Sequence, residues 1–165
     1  MNYFKTLDQS VSLQKTLKRK IHFSGVGVHN GRAVSMSIEP AEVNSGIVFY
    51  RTDLEKNNII KASIENVVDS RLCTKIKNSN GNYISTIEHL MAALSALSID
   101  NAIVRINSSE LPALDGSSYE YVKKILSSGI KTQNCSKKIF KVIKKVEVKS
   151  GERFISISPS NNLSI

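Results

Sequence analysis

Hydrophobic and polar residues alternate along much of the chain, with the period of two that is typical of β-strands. The alternation is clearest over residues 33–40, where Val34, Met36 and Ile38 fall on one face and predict a half-buried strand. Shorter runs predict further strands over residues 14–21, 46–51, 72–77, 83–85 and 102–106. The run Ser79-Asn80-Gly81-Asn82 predicts a hairpin turn. The first three strands are separated by a turn and a loop, which indicates an antiparallel meander.

Residues 86–97 follow a helical period instead. Their apolar side chains recur every three or four positions and form one stripe, made of Ile87, Leu90, Met91, Leu94 and Leu97. This spacing predicts an amphipathic helix. Ser85 or Thr86 suits the N-cap position of that helix, and Glu88 suits hydrogen bonding to the N–H groups of its first turn.

A second helix is predicted over residues 117–127, with Gly129 as the residue that ends it. Strands are therefore followed by helices, without the regular β–α–β alternation that is typical of parallel sheets. This order indicates an α+β fold, in which a small, mainly antiparallel sheet is layered against two helices.

The chain divides into three parts by pattern. Residues 1–12 are loose and polar and predict a flexible N-terminal extension. Residues 13–134 hold the elements of the first α+β domain. New β-rich runs begin near Lys138, with Ser150-Gly151-Glu152 as the turn between two strands. We therefore predict that residues 135–165 are the opening strands of a second, similar and incomplete domain.

The positive charge of the chain is concentrated in one segment near its C-terminal end. The 165 residues carry a formal net charge of +9, and eight basic residues fall between Lys131 and Arg153. A basic balance of this size favours an anionic partner. Apart from Phe140 and Phe154, no aromatic residues are interleaved with the basic ones as stacking platforms, and no recognition motif is present, so we expect no nucleic-acid partner. A solvated strand face and a phosphate-binding role both stay open for the basic run.

The cysteines and the apolar runs indicate the cellular compartment of the protein. Cys73 and Cys135 lie far apart and form no CxxC motif. The N-terminus has no secretory signal, and no apolar run approaches the roughly 20 residues that cross a bilayer. We therefore expect a cytoplasmic protein with reduced cysteines and no transmembrane segment.

A carboxylate and an imidazole stand side by side at Glu88 and His89, at the start of the first predicted helix. Several zinc hydrolases place a general base beside a metal ligand in this way. The usual zinc helix motif has a second histidine four residues on, where this chain has Ala93. From the spacing alone, a capping glutamate beside an unrelated histidine is the simpler interpretation, and the catalytic one stays open.

Three other motifs carry candidate chemistry. The glycine-rich segment 25–31 favours a tight hairpin with His29 at its tip over a phosphate cradle, because no helix pattern follows it directly. Asp115 suits an Asx-turn or N-cap before the second helix. Cys73 lies on a predicted strand, where a single cysteine is typically a small core residue.

Taken in order, these segments resemble one family, the UDP-3-O-acyl-N-acetylglucosamine deacetylases of lipid A biosynthesis. The likeness extends from about residue 13 to the end of the chain. Several distinct motifs carry it in the same order and spacing, over residues 14–17, 25–31, 46–54, 72–74, 84–90, 99–101 and 111–117.

The resemblance implies a two-domain fold and a cytoplasmic enzyme that releases acetate from UDP-3-O-acyl-N-acetylglucosamine with one Zn²⁺. His89 matches a zinc ligand, and Glu88 matches the general base. On that mechanism zinc polarises the acetamide carbonyl and activates water, while Glu88 takes the proton and passes it to the leaving amine. Positions near the active-site mouth, where the substrate binds, are matched by His29, Leu72 and Cys73.

The resemblance also leaves part of the site outside this chain. Asp115 matches a motif residue that is structural or supports the ligating groups. The family's other two zinc ligands come from the second domain, and this chain ends at Ile165 before them. The resemblance therefore predicts a truncated enzyme that is inactive alone and is completed by a separate chain. The alternatives are a non-catalytic remnant or binding domain that associates with a separate second half, and an unrelated basic binding protein.

Overall fold

The computed structural model describes the backbone of residues 4–7 and the whole of residues 12–162. The strands are β1 (Phe4–Leu7), β2 (Leu13–Leu17), β3 (Ile21–Val26), β4 (Ala33–Pro40), β5 (Ile47–Arg51), β6 (Ile59–Lys61), β7 (Val67–Asp69), β8 (Lys75–Lys77), β9 (Tyr83–Ile84), β10 (Ala102–Ile106), β11 (Ile130–Ser136), β12 (Ile139–Val142), β13 (Val146–Ser150) and β14 (Arg153–Ile157). The helices are α1 (Glu88–Ala96) and α2 (Tyr119–Ser128), with a 3₁₀ turn at Ile64–Asn66. Neither α-helix in this part of the chain is long and apolar enough to cross a membrane.

The described residues form two compact units. The first is Leu13–Cys135, and its main sheet has the strand order β3-β4-β10-β5-β6. The expected meander is wrong at one point, because β10 lies between β4 and β5 and runs parallel to β5. Ala102, Val104 and Ile106 are completely buried, which suits a central strand. A parallel pair needs a long connection, and the segment between β5 and β10 supplies it.

Two helices and the sheet enclose the core of the first unit. Helix α1 buries Leu90, Ala93 and Leu94, and α2 buries Tyr121 and Ile125 within the same apolar cluster. The Tyr121 ring lies 5.0 Å from that of Phe23 on β3, which joins α2 to the sheet. The predicted α+β class, with a mainly antiparallel sheet and two helices, is confirmed.

The start of α1 differs from the expectation. The helix begins at Glu88, and its N-cap position is Ile87, without a side-chain cap. Thr86 has a φ of 60°, in the left-handed region, so it cannot act as the extended N-cap residue. The carboxylate of Glu88 bonds to the backbone N–H of Thr74 and not to the first turn. The predicted capping role of Glu88 is therefore wrong. Gly129 ends α2 with a φ of 79°, as expected.

The segment before α1 forms a small antiparallel sheet of order β7-β8-β9. The Asn78 side chain accepts hydrogen bonds from the N–H groups of Asn80 and Asn82, which closes the turn between β8 and β9 and confirms the predicted hairpin. The strand that was expected from residue 72 begins only at Lys75. Cys73 lies in the bend before it and is half-buried, not a strand residue of the core.

The second unit contains β1 and the segment from Ser136 onward. Strands β13 and β14 form the predicted hairpin, with Gly151 at a φ of 60° in its turn. The preceding apolar run is interrupted, because β12 ends at Val142 and β13 begins at Val146. The expected extension over residues 1–12 lies largely outside the described residues, and within it β1 pairs with β12. The domain limits stay a prediction.

Basic side chains of the second unit are mostly exposed. Lys145 and Lys149 each lie 3.0 Å from the carboxylate of Glu147 and hold its pKa below the ordinary value. This arrangement favours a solvated strand face for the basic run, and the phosphate-binding role stays a prediction.

Candidate active site

A cavity of about 600 Å³ opens in the first unit. Its walls come from the β3–β4 turn, from the bend before β8 and from the residues that follow β10. Three of the predicted site residues, His29, Leu72 and Cys73, line it together. The structure thus brings together side chains that lie more than 40 positions apart in the sequence.

The cavity has an exposed apolar side chain at its mouth and both basic and acidic side chains in its lining. Leu72 is 88% exposed, and an exposed leucine at a cavity mouth can pack against an apolar part of a ligand. Arg71 and Lys75 also line the cavity. The Arg71 guanidinium hydrogen-bonds to Asp69 and lowers the pKa of that carboxyl to about 2, and Asp69 also lines the cavity.

His29 occupies the turn between β3 and β4, as the hairpin interpretation predicts. Its side chain is exposed, and its backbone N–H donates to the carboxylate of Glu110 over 2.9 Å. The turn is therefore held by a residue from the segment after β10, and not by the hairpin alone.

Glu88 and His89 lie at the first turn of α1 and are both half-buried. Neither lines the cavity. Glu88 is nevertheless joined to the cavity wall, because its Oε2 accepts a hydrogen bond of 2.9 Å from the N–H of Thr74, the residue after Cys73. The His89 imidazole has no hydrogen-bond partner among the described residues. The structure thus attaches the predicted base to the segment that carries two of the predicted binding residues.

Asp115 lies outside this group. Its exposed carboxylate accepts hydrogen bonds from the N–H and the hydroxyl of Ser117, both at 3.0 Å, in an Asx-turn that precedes α2. Leu114, just before it, has a φ of 52°. These contacts give Asp115 a local structural role in the loop.

The described residues do not by themselves form a zinc centre. Zinc takes about three protein ligands in catalytic sites. Within the described ranges, no three histidine, cysteine, aspartate or glutamate side chains are grouped to hold a metal. His89 is one suitable nitrogen donor, beside the carboxylate of Glu88.

Glu110 belongs to the site, although no sequence motif points to it. Its side chain is 1% exposed and reaches the cavity lining. Burial raises the pKa of this carboxyl, but hydrogen bonds from the N–H groups of His29 and Asn30 and from the Thr86 hydroxyl outweigh that effect and lower it. The only local signal is an acidic residue directly before the apolar Leu111-Pro112, which does not identify distant partners.

Comparison with known proteins gives the family. The family model described as UDP-3-O-acyl N-acetylglycosamine deacetylase matches residues 14–165. Three similar relatives bear the name UDP-3-O-acyl-N-acetylglucosamine deacetylase. The chain is 42% identical to the one from Tolumonas auensis, over 88% of this chain and 48% of the relative. It is 43% identical to the one from Shewanella violacea, over 92% and 50%. It is 40% identical to the one from Haemophilus influenzae, over 90% and 48%.

These matches extend through both units of the fold and cover all the predicted site residues. The chain spans about half the length of the curated relatives it matches. The chain belongs to the UDP-3-O-acyl-N-acetylglucosamine deacetylase family.

Proposed function

We propose that this chain supplies part of the active site of an enzyme that hydrolyses the acetamide of UDP-3-O-acyl-N-acetylglucosamine and releases acetate, in lipid A biosynthesis. The observation that carries the proposal is the position of Glu88, which is held by the segment that lines the cavity and lies next to His89 in a chain of this family. The cytoplasmic location stays a prediction.

Glu88 has the surroundings of a proton-transfer group. Amide hydrolysis needs a base that accepts a proton from the attacking water and an acid that protonates the leaving amine. The Oε2 atom of Glu88 is fixed by the Thr74 N–H, whereas Oε1 has no hydrogen-bond partner among the described residues. One oxygen therefore orients the carboxylate while the other is left to exchange the proton.

His89 is proposed as one ligand of a catalytic zinc ion. Its half-buried imidazole follows Glu88 directly, so a base and a metal ligand come from the same helical turn. Because a catalytic zinc needs about three protein ligands, the others come from outside the described residues. On this proposal the chain alone is inactive and becomes active with a chain that supplies the second half of a relative.

The cavity fits the substrate contacts of the proposal. Its volume of about 600 Å³ lies in the range of ordinary ligand sites. We propose that the exposed Leu72 contacts an apolar part of the substrate, with His29 and Cys73 on the adjoining walls of the cavity. Asp115 shapes the loop before α2 and does not touch the ligand.

The test is acetate release from UDP-3-O-acyl-N-acetylglucosamine with Zn²⁺, by the chain alone and by the chain mixed with the second half of the Tolumonas auensis relative. We expect no release by either part alone and release by the mixture. His89→Ala should abolish both release and zinc retention by the mixture, whereas His22→Ala changes an exposed histidine on β3 and should change neither. Release by the isolated 165-residue chain would contradict this account of the site.

The second candidate is a chain that binds a separate second half without catalysis. The β13–β14 hairpin favours it, because Val148, Ile155 and Ile157 share one face of the hairpin by register and are each at least half exposed. Exposed apolar patches of this kind mark association surfaces. The same mixture distinguishes the candidates, since a stable complex without acetate release would support association alone.

A further inference from the structure

Glu110 is a buried carboxylate that connects two separate parts of the candidate site. It lies in the segment after β10, and its side chain is 1% exposed. Its Oε1 accepts hydrogen bonds from the N–H of His29 at 2.9 Å and from the hydroxyl of Thr86 at 3.1 Å. Its Oε2 accepts one from the N–H of Asn30 at 2.9 Å. Three donors therefore replace the water that this anion loses on burial.

Each donor belongs to an element that carries a predicted site residue. The N–H groups of His29 and Asn30 belong to the β3–β4 turn, and His29 lines the cavity. Thr86 lies two residues before Glu88 and precedes the start of α1. One carboxylate thus fixes the cavity turn relative to the segment that leads into the Glu88–His89 pair.

Thr86 needs such support. Its φ of 60° is rare for a β-branched residue, and strained backbone of this kind persists only where the surroundings hold it in place. The bond from its hydroxyl to Glu110 is buried and joins residues 24 positions apart. This bond supplies one such constraint directly before the helix that carries Glu88.

Gly27 gives independent evidence that space is reserved for the carboxylate. A Cβ at this position would lie 2.5 Å from Oε2 of Glu110 and would also clash with Oδ1 of Asn30. Gly27 has an ordinary φ, since it is not among the residues in the left-handed region. Close packing against the side chains of Asn30 and Glu110, rather than backbone conformation, therefore requires glycine here.

We propose that Glu110 is a positioning residue, which holds the His29 turn and the Thr86 segment in the arrangement that the reaction requires. It acts through these segments and does not touch the reacting atoms. The kinetic part of this inference rests on the proposed function. The structural part concerns the chain by itself and can be tested without activity.

The structural test is amide hydrogen exchange, measured by NMR on the 165-residue chain. Glu110→Gln keeps the size of the side chain but turns an NH₂ group toward one of the donors. We expect the His29 and Asn30 amides to exchange about tenfold faster or more, since hydrogen bonds to charged groups are the strong ones. The Ile125 amide in α2 serves as the internal reference, and Glu42→Gln alters an exposed carboxylate as the matched control.

A second variant keeps the test valid if Glu110→Gln does not fold. Gly27→Ala retains the carboxylate but places a methyl group against it and against the Asn30 side chain, so the same two amides should lose protection. Unchanged exchange of both amides in a folded Glu110→Gln or Gly27→Ala chain would overturn the inference.

The kinetic test uses the mixture with the second half of the relative, at a temperature where the variant is folded. Glu110→Gln should lower kcat about tenfold to a hundredfold and change KM much less, because misplaced groups slow the chemical step. Glu110→Asp, which keeps the charge, should recover part of the loss. An unchanged kcat per folded molecule would reduce Glu110 to a purely structural role and overturn the positioning claim.

If the wild-type mixture releases no acetate, the proposed function fails, and the exchange result still decides whether Glu110 fixes the turn.

Discussion

Two carboxylates of the first unit, Glu88 and Glu110, differ in how their oxygens are used. Glu88 is half-buried and has one hydrogen bond, to Oε2. Glu110 is buried and accepts three, with both oxygens engaged. A proton acceptor needs an oxygen that is open to the reacting group, whereas a residue that fixes others is more effective when its oxygens are occupied. We therefore expect Glu88 to take part in proton transfer and Glu110 to hold neighbouring segments in position.

The largest expected difference is in stability. Glu110→Gln should lower the free energy of unfolding by about 1–3 kcal/mol, because a buried donor is left without its acceptor. Glu88→Gln should change it by less than about 0.5 kcal/mol, since its remaining carbonyl can still accept from Thr74. Urea unfolding of the two variants and of wild type measures both values. Equal losses in the free energy of unfolding for the two variants would contradict the different roles assigned to Glu88 and Glu110.

A smaller effect is expected at Thr86. Thr86→Ala loses the hydroxyl bond to Glu110 and keeps the strained φ of 60°, so we expect a loss of about 1 kcal/mol in the free energy of unfolding. Thr86→Gly also loses the bond, but glycine adopts a positive φ without steric cost. The glycine variant should therefore be the more stable of the two in thermal unfolding. The reverse order would show that strain at Thr86 is unimportant.

The smallest effect concerns pH. Burial raises the pKa of Glu110, but the hydrogen bonds from His29, Asn30 and Thr86 outweigh it, so the folded-state pKa lies below the unfolded one. Such a group stabilises the fold at pH values above its unfolded pKa, and this contribution is lost as the pH falls through the folded pKa. The stability gap between wild type and Glu110→Gln should therefore narrow as the pH is lowered from 7 into that range. A gap that is independent of pH, in urea unfolding at a series of pH values, would contradict the assignment.

The sequence predicts those parts of the fold whose signals are local. The alternation of Val34, Met36 and Ile38 identifies β4, and the Asn-Gly turn identifies the β8–β9 hairpin. The insertion of β10 between β4 and β5 was not predicted, because strand neighbours far apart in the chain leave no periodic trace. The start of α1 was misplaced for a related reason. Thr86 has a positive φ and bonds through its hydroxyl to the distant Glu110, and capping preferences do not include such contacts.

In the candidate site, too, the features with local sequence signals are predictable and those that depend on distant contacts are not. Glu88 and His89 are adjacent in sequence, so their pairing is visible without a structure. The joint lining of one cavity by His29, Leu72 and Cys73 needs the fold. Glu110 is the extreme case, because its donors lie 24, 80 and 81 positions away. A buried carboxylate of this kind is identified only when its partners are seen.

The most direct test of the account is the rate of acetate release by the mixture of this chain with the second half of a relative, at equal zinc content and folded fraction. Glu88→Gln should reduce that rate by about 10²–10⁴-fold, the contribution that a general base typically makes, while Glu42→Gln should match wild type. A Glu88→Gln mixture that releases acetate at the wild-type rate would contradict the assignment of Glu88 as the base.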